Sequence, residues 1–216
     1  MKHRVSIIAM LTALSWAGPS IAQPVAQPDA FARLGIARIK LADEGKIFLN
    51  GTRDPAAGYT TPEKWVANIE LGYFVLDTVA IQFAGTTPAT TPNKPAGSLE
   101  AVPNLGNDKF SIFTLTGTYH PLRGGPVSPY VGAGVALQHV WSLEDEFASN
   151  LQVDDAWGPV VQAGAEVAIS DRFGIYVDVK KAFYKADASA DIGPNRITAV
   201  AELDPLILQA GALVRF

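Results

Sequence analysis

The sequence predicts an all-β protein, an eight-stranded antiparallel up-and-down transmembrane β-barrel. Three observations carry that reading. Segments alternating in period two recur along the chain, their connections alternate long and short, and aromatic residues sit at both ends of the apolar parity of the strands. Hydrophobic residues make up 48% of the chain and charged ones only 18%. Beyond the amino-terminal leader, no uninterrupted apolar stretch reaches the ~20 residues a spanning helix needs, so this apolar content must lie in alternating strands.

The leader occupies residues 1–22. It opens with Lys2, His3 and Arg4, runs through an apolar stretch to Trp16, and closes with the small residues Ser20 and Ala22. That is the pattern of a secretory signal peptide cleaved after Ala22, leaving residues 23–216 as the barrel. Without any Cys the chain has no lipoprotein anchor, disulfide or thiolate metal site. Loss of Lys2 and Arg4 reduces 17 basic residues to 15 against 21 acidic ones, a net charge of −6, which argues against nucleic acid as a partner.

Residues 23–30, with Pro24 and Pro28, form a loose lead-in. The first strand follows over about 31–40, with Ala32, Leu34 and Ile36 on one face and Arg33, Gly35 and Ala37 on the other. A long loop, residues 41–62, precedes the row Trp65, Ala67, Ile69, Leu71 and Tyr73. It is interleaved with Lys64, Val66, Asn68, Glu70 and Gly72, and a buried helix would not place a carboxylate between Ile69 and Leu71. After a short turn, Val79, Ile81 and Phe83 alternate with Ala80, Gln82 and Ala84. A second long loop, residues 85–109, holds four prolines and leads to Phe113, Leu115, Gly117 and Tyr119 set against Ile112, Thr114, Thr116 and Thr118.

A Gly-Pro turn opens the fifth strand, residues 130–141, where Val131, Ala133, Val135 and Leu137 face away from Gly132, Gly134, Ala136 and Gln138. The acidic loop 142–155 leads to the sixth, with Trp157, Val161, Ala163 and Val167 opposite Gly158, Val160, Gln162 and Glu166. Strand seven sets Ile175, Val177, Val179 and Phe183 against Tyr176, Asp178, Lys180 and Tyr184. A loop over 185–198 precedes the last strand, in which Leu206, Leu208, Ala210, Ala212, Val214 and Phe216 oppose Ile207, Gln209, Gly211, Leu213 and Arg215. Every long connection falls on one rim and every short one on the other, as in a small closed barrel.

The apolar parity carries Trp65, Trp141, Trp157, Phe83, Phe113 and Phe183 beside the long loops, and Tyr73, Tyr119 and Phe216 beside the short turns. Two such girdles suit the two interfaces of a bilayer, whereas a soluble lipocalin-like carrier has no physical reason for them. The inward parity carries Arg33, Asn68, Glu70, Gln82, Thr114, Thr116, Thr118, Gln138, Gln162, Glu166, Asp178, Lys180, Gln209 and Arg215. Mixed charges there predict a network that rigidifies a narrow lumen, with a selectivity role as the alternative. Pro159 and Pro205 lack an N–H and weaken wall pairing near the outer rim, which makes them candidates for a lateral opening unless they are merely tolerated strand-end prolines.

No catalytic set, phosphate loop or zinc spacing is present, so neither an enzyme nor a cofactor is expected. His120, at a turn, and His139, beside Trp141, read as interfacial residues. Asp43-Glu44 and Glu144-Asp145-Glu146 read as solvated loop acids, with divalent cations bridging lipopolysaccharide as the alternative.

Several motifs carry a family resemblance: Arg33-Leu34-Gly35-Ile36, Pro129-Tyr130-Val131-Gly132-Ala133-Gly134-Val135, Trp157 with Gln162-Ala163-Gly164, and Asp204-Pro205 followed by Gly211 and Phe216. In order and spacing these resemble the OmpW family of outer-membrane proteins. Trp157-Gly158-Pro159 and Leu203-Asp204-Pro205-Leu206-Ile207-Leu208 are similar to its AlkL-like branch. The resemblance implies a monomeric barrel in the outer membrane of a Gram-negative cell, in contact with membrane lipid and lipopolysaccharide. It implies a narrow channel for small hydrophobic molecules with lateral release into the bilayer. The alternative function is a structural or adhesive barrel whose loops bind lipopolysaccharide or a partner without transport.

Overall fold

The computed structural model describes residues 29–216, so the leader expected over 1–22 lies outside the described residues. These residues form sixteen strands: β1 (Ala30–Lys40), β2 (Glu44–Leu49), β3 (Thr52–Asp54), β4 (Ala57–Thr60), β5 (Lys64–Leu76), β6 (Val79–Thr86), β7 (Ala89–Pro92) and β8 (Lys94–Gly97), then β9 (Gly106–Tyr119), β10 (Val127–Asp145), β11 (Ser149–Val153), β12 (Ala156–Ala168), β13 (Phe173–Ala182), β14 (Lys185–Ile192), β15 (Asn195–Glu202) and β16 (Leu206–Arg215).

Eight of them, β1, β5, β6, β9, β10, β12, β13 and β16, pair with their neighbours in chain order, and β16 returns to β1. All these pairings are antiparallel, so the wall has no free edge. Closure is in register from Phe31 opposite Arg215 to Lys40 opposite Leu206, and Ala30 and Phe216 exchange backbone hydrogen bonds of 3.2 and 2.9 Å.

The wall strands alternate strictly between exposed and buried positions, from Trp65 to Phe74 on β5 and from Gly174 to Lys180 on β13. Outward positions are apolar: Leu34, Ile36, Ile69, Leu71, Leu115, Val131, Val161 and Val177 are all exposed. In water such a surface would be a large unsatisfied apolar belt, whereas acyl chains cover it without cost. Trp65 and Tyr73 end the belt on β5. Eight residues of strand, tilted as in a small barrel, separate them by about 20 Å of height, most of the ~25 Å apolar band of an outer-membrane barrel.

The long connections depart from the sequence reading. They carry a second sheet, ordered β11-β14-β15-β2-β3, and a two-stranded pair of β4 with β8, while β7 pairs with β9 beyond the wall. The reason lies in the backbone: chain rising above the rim must satisfy its N–H and C=O groups, and small alternating residues let it do so by pairing. Ala186 and Ala190 are buried while Asp187 is exposed, a period-two pattern within what reads as a loop. Asn50 and Gly51, both at positive φ, make the tight turn between β2 and β3.

Candidate functional site

The barrel interior is layered. At the rim of short turns, Phe31, Phe74, Ala80 and Leu213 form an apolar floor. Phe31 needs Gly72 across from it, because a Cβ there would sit 2.0 Å from the ring. Arg123 lies 3.7 Å over the Phe74 ring, pairs with Asp29 at 3.0 Å and donates to the Asp77 carbonyl at 3.1 Å, tying two turns to the start of β1. His120 does not sit at the interface as its turn position suggests. It is buried in the floor, stacked on Tyr130 at 4.8 Å and edge-on to Phe74 at 5.0 Å, with Nε2 3.0 Å from Thr118 Oγ1.

Above the floor lies a charged layer. Arg33 pairs with Glu70 and Glu166, and donates to Tyr130 Oη at 3.1 Å. Lys180 bridges Glu70 at 3.0 Å and Asp178 at 2.8 Å, and Arg215 reaches Glu166 at 2.6 Å. The Arg33 guanidinium is also held 4.7 Å from the Tyr130 ring and 5.1 Å from the Tyr176 ring. Gln209 donates to Asp178, Asn68 to Tyr176, and Gln162 to Gln82 while accepting from Thr116. Three cations face three carboxylates, so the layer is neutral in itself, which is what allows it to be buried.

Residues 33, 68, 70, 82, 114, 116, 138, 162, 166, 178, 180 and 209, all expected inside, are buried, and Arg215 is half-buried at the layer's edge. Tyr130 and Tyr176, whose parity pointed inward, were not in that expected set. Tyr130 occupies space left by Gly164, where a Cβ would lie 2.4 Å from its hydroxyl. Of the girdle residues, Trp65, Tyr73, Phe83, Tyr119, Trp141, Trp157, Phe183 and Phe216 are exposed; Phe113 is half-buried, stacked on Phe83 at 6.2 Å. Trp141 turns its indole N–H to Ser111 Oγ at 2.9 Å.

The next layer is apolar. Ile39, Val66, Ile112, Val160, Tyr184 and Ile207 meet there, with alanines from β1, β10 and β13 between them. Over this layer opens a cavity of about 110 Å³, walled by Leu41, Leu105 and Leu203 near the rim and by Ile47, Leu151 and Ile197 of the crown sheet. Such a space holds several heavy atoms, and its largely apolar wall disfavours water.

The structure brings Pro159 and Pro205 to opposite sides of one strand end. The Phe183 N–H donates to the Pro159 carbonyl at 2.9 Å, and the Ala182 N–H to the Pro205 carbonyl at 3.1 Å. There the β12–β13 ladder stops, with Val160 opposite Ala182, and so does β13–β16, with Lys181 opposite Leu206. Tyr184 N–H is instead taken by the Asp204 carboxylate at 2.9 Å, and Asp204 has a positive φ of 30°. At this point the wall is held by side chains and single bonds rather than by a ladder.

The loop acids are mostly engaged internally. Asp145 accepts from the N–H groups of Asn150 and Leu151, Glu146 from Asn104 and Asn107, and Asp43 from the Thr61 N–H. His139 pairs with Asp155 at 2.7 Å. Among the described residues no group of three or more His, Asp and Glu side chains is placed to hold a metal ion.

The OmpW family profile matches residues 27–216. The dibenzothiophene metabolism operon protein DoxH of Pseudomonas sp. strain C18 is 29% identical over 175 residues, 81% of this chain and 82% of that protein. The outer membrane protein AlkL of Ectopseudomonas oleovorans is 24% identical over 204 residues, covering 93% and 89% of the two chains. Among solved structures, OprG of Pseudomonas aeruginosa superposes with a TM-score of 0.82 at 20% identity, covering 88% of this chain and 96% of that one. AlkL in lipid bilayers gives a TM-score of 0.70 at 23% identity, covering 94% and 97%. These likenesses are to outer-membrane barrels.

Proposed function

Because the chain belongs to the OmpW family and is an outer-membrane β-barrel, we propose that it is a conduit for small hydrophobic molecules that enter at the crown and leave sideways into the bilayer. The observation that carries this reading is the order of the layers: an apolar cavity on the outer side stands over a lumen filled by packed apolar side chains and then by a charged layer. A solute in the cavity has no apolar path along the axis, since passing Arg33, Glu70 and Lys180 means separating buried ion pairs. Beside it, at the end of β13, two prolines withhold their N–H groups from the wall while their carbonyls still accept, which supports an exit there. The name of DoxH supports the solute class, because dibenzothiophene is an apolar aromatic compound.

The test is entry of a fluorescent apolar tracer, naphthalene, into intact Gram-negative cells that make the protein. Expression speeds entry, and Ala186→Phe, which fills the cavity, returns it toward the rate of cells without the protein. Pro159→Ala and Pro205→Ala, which supply the missing N–H groups, slow it. Equal entry with and without the protein defeats the conduit and favours a barrel that only binds at its surface. If only the proline variants are without effect, the exit at β13 is wrong while the conduit stands.

A further inference from the structure

One wall of the cavity is not apolar. Thr91 and Asp108 are direct partners across β7 and β9, so their side chains leave the pair on one face with Cβ atoms about 5 Å apart. Both are buried, at 3% and 4% exposure, and both line the cavity. Asp108 accepts from Asn93 Nδ2 at 3.1 Å and is also favoured as the carboxylate by its own backbone N–H, which still leaves lone pairs open. Thr91 Oγ1 has no hydrogen-bond partner among the described residues, and of the residues carrying a buried side-chain atom in that condition Thr91 is the one that lines the cavity. Gln138 closes the deep side, its Oε1 3.4 Å from the Tyr184 hydroxyl. A buried donor and a buried carboxylate side by side in an oily space are costly to leave unpaired, and they are complementary to a head that both donates and accepts, such as a hydroxyl, which donates to the carboxylate and accepts from the threonine.

We propose that the cavity is a binding cleft for apolar solutes bearing a single hydrogen-bond-donating head such as a hydroxyl, with Asp108 accepting from the head, Thr91 donating to it, and the leucine and isoleucine side chains taking the body. This rests on the conduit reading for its physiological meaning but not for its test. Burial favours the protonated form of Asp108, so the acid also offers a donor to a carbonyl or ether head at low pH. Lys64 is the cation acting on Asp108 from β5.

Two probes of nearly the same size separate the cases, naphthalene and 2-naphthol. On the purified full chain in lipid nanodiscs, 2-naphthol fluorescence reports binding, and naphthalene competes for the same space. The cleft predicts that 2-naphthol binds tighter than naphthalene by roughly tenfold, the worth of one hydrogen bond to a charged acceptor. It also predicts that Thr91→Val and Asp108→Leu each bring the ratio of the two affinities toward one. Thr91→Val keeps the side-chain shape, so it remains informative if Asp108→Leu assembles poorly. Equal affinities in the wild type, or a ratio that both variants leave unchanged, overturn the cleft whatever the cells show. In cells the same ratio read on entry rates follows the binding ratio. Failure of the wild type to speed either probe defeats the conduit alone, and the binding ratio still decides the cleft.

Discussion

The lower lumen is enclosed by the eight wall strands and the upper cavity mainly by the second sheet and the short strands above the rim, and the two regions solve opposite problems. Below, Arg33, Glu70, Glu166, Asp178, Lys180 and Arg215 compensate one another within a cross-section that the eight-stranded wall leaves only wide enough for side chains. Above, the second sheet and the strand extensions surround a cavity lined largely by leucine, isoleucine and alanine, with Thr91, Asp108 and Gln138 on one side. Burial alone therefore says little about role. What differs is whether buried charges find partners within the chain or buried apolar surface lines a cavity.

The largest expected effect breaks the lower half. Glu70→Ala strands Arg33 and Lys180 without their shared carboxylate and is expected to cost about 3–5 kcal/mol in urea unfolding from lipid vesicles. Removing charge on both sides, with Arg33→Met and Glu70→Leu together, is expected to recover much of that loss. If the single variant unfolds like the wild type, the lower layer does not hold the barrel.

In the upper half the signs reverse. Asp108 lies beyond the Trp141 girdle, where β9 opposes Leu143, and burial raises its carboxyl to about 6 from the ordinary 3.8 while Asn93 and Lys64 act the other way. A raised carboxylate subtracts stability. The penalty is absent below pH 3.8, where both folded and unfolded chains are protonated, and grows as pH rises toward 6. Above that it stays at about 3 kcal/mol. Asp108→Asn is therefore expected to be more stable than the wild type at pH 8, with the difference closing by pH 4. A constant difference at both pH values would remove burial as its cause.

A third comparison sets the belt against the cavity. Leu71→Arg, facing lipid near the middle of β5, is expected to cost about 2–4 kcal/mol. Ala186→Phe in the cavity, the blocking change above, is expected to cost about 1–3 kcal/mol at most and to act on entry rather than on unfolding. If the two changes unfold the protein equally, the cavity is no emptier than the wall.

The wall was legible because one face of each strand meets lipid and the other meets packed lumen, so period two is enforced residue by residue, as from Trp65 to Phe74. The ion pairs were legible only as a set of inward charges. That Arg33 takes Glu70 and Glu166, while Lys180 takes Glu70 and Asp178, depends on stagger between strands, which parity does not encode. The crown was hidden because its strands are short and its buried faces mix alanines such as Ala186 and Ala190 with isolated large residues, Ile47, Leu151 and Ile197, too few per strand to announce a period. Thr91 and Asp108 fell inside a proline-bearing stretch that reads as loop, and only the pairing of β7 with the long extension of β9 makes them neighbours. The two prolines were visible individually, but their meeting across the end of β13 was not.

The neutral layer has an electrical consequence. A hydrated ion entering from either side meets no net countercharge to replace its water shell, because each fixed charge there is already spent on a neighbour. An outer membrane can thus hold such barrels without short-circuiting the barrier that keeps salts and water-soluble poisons out.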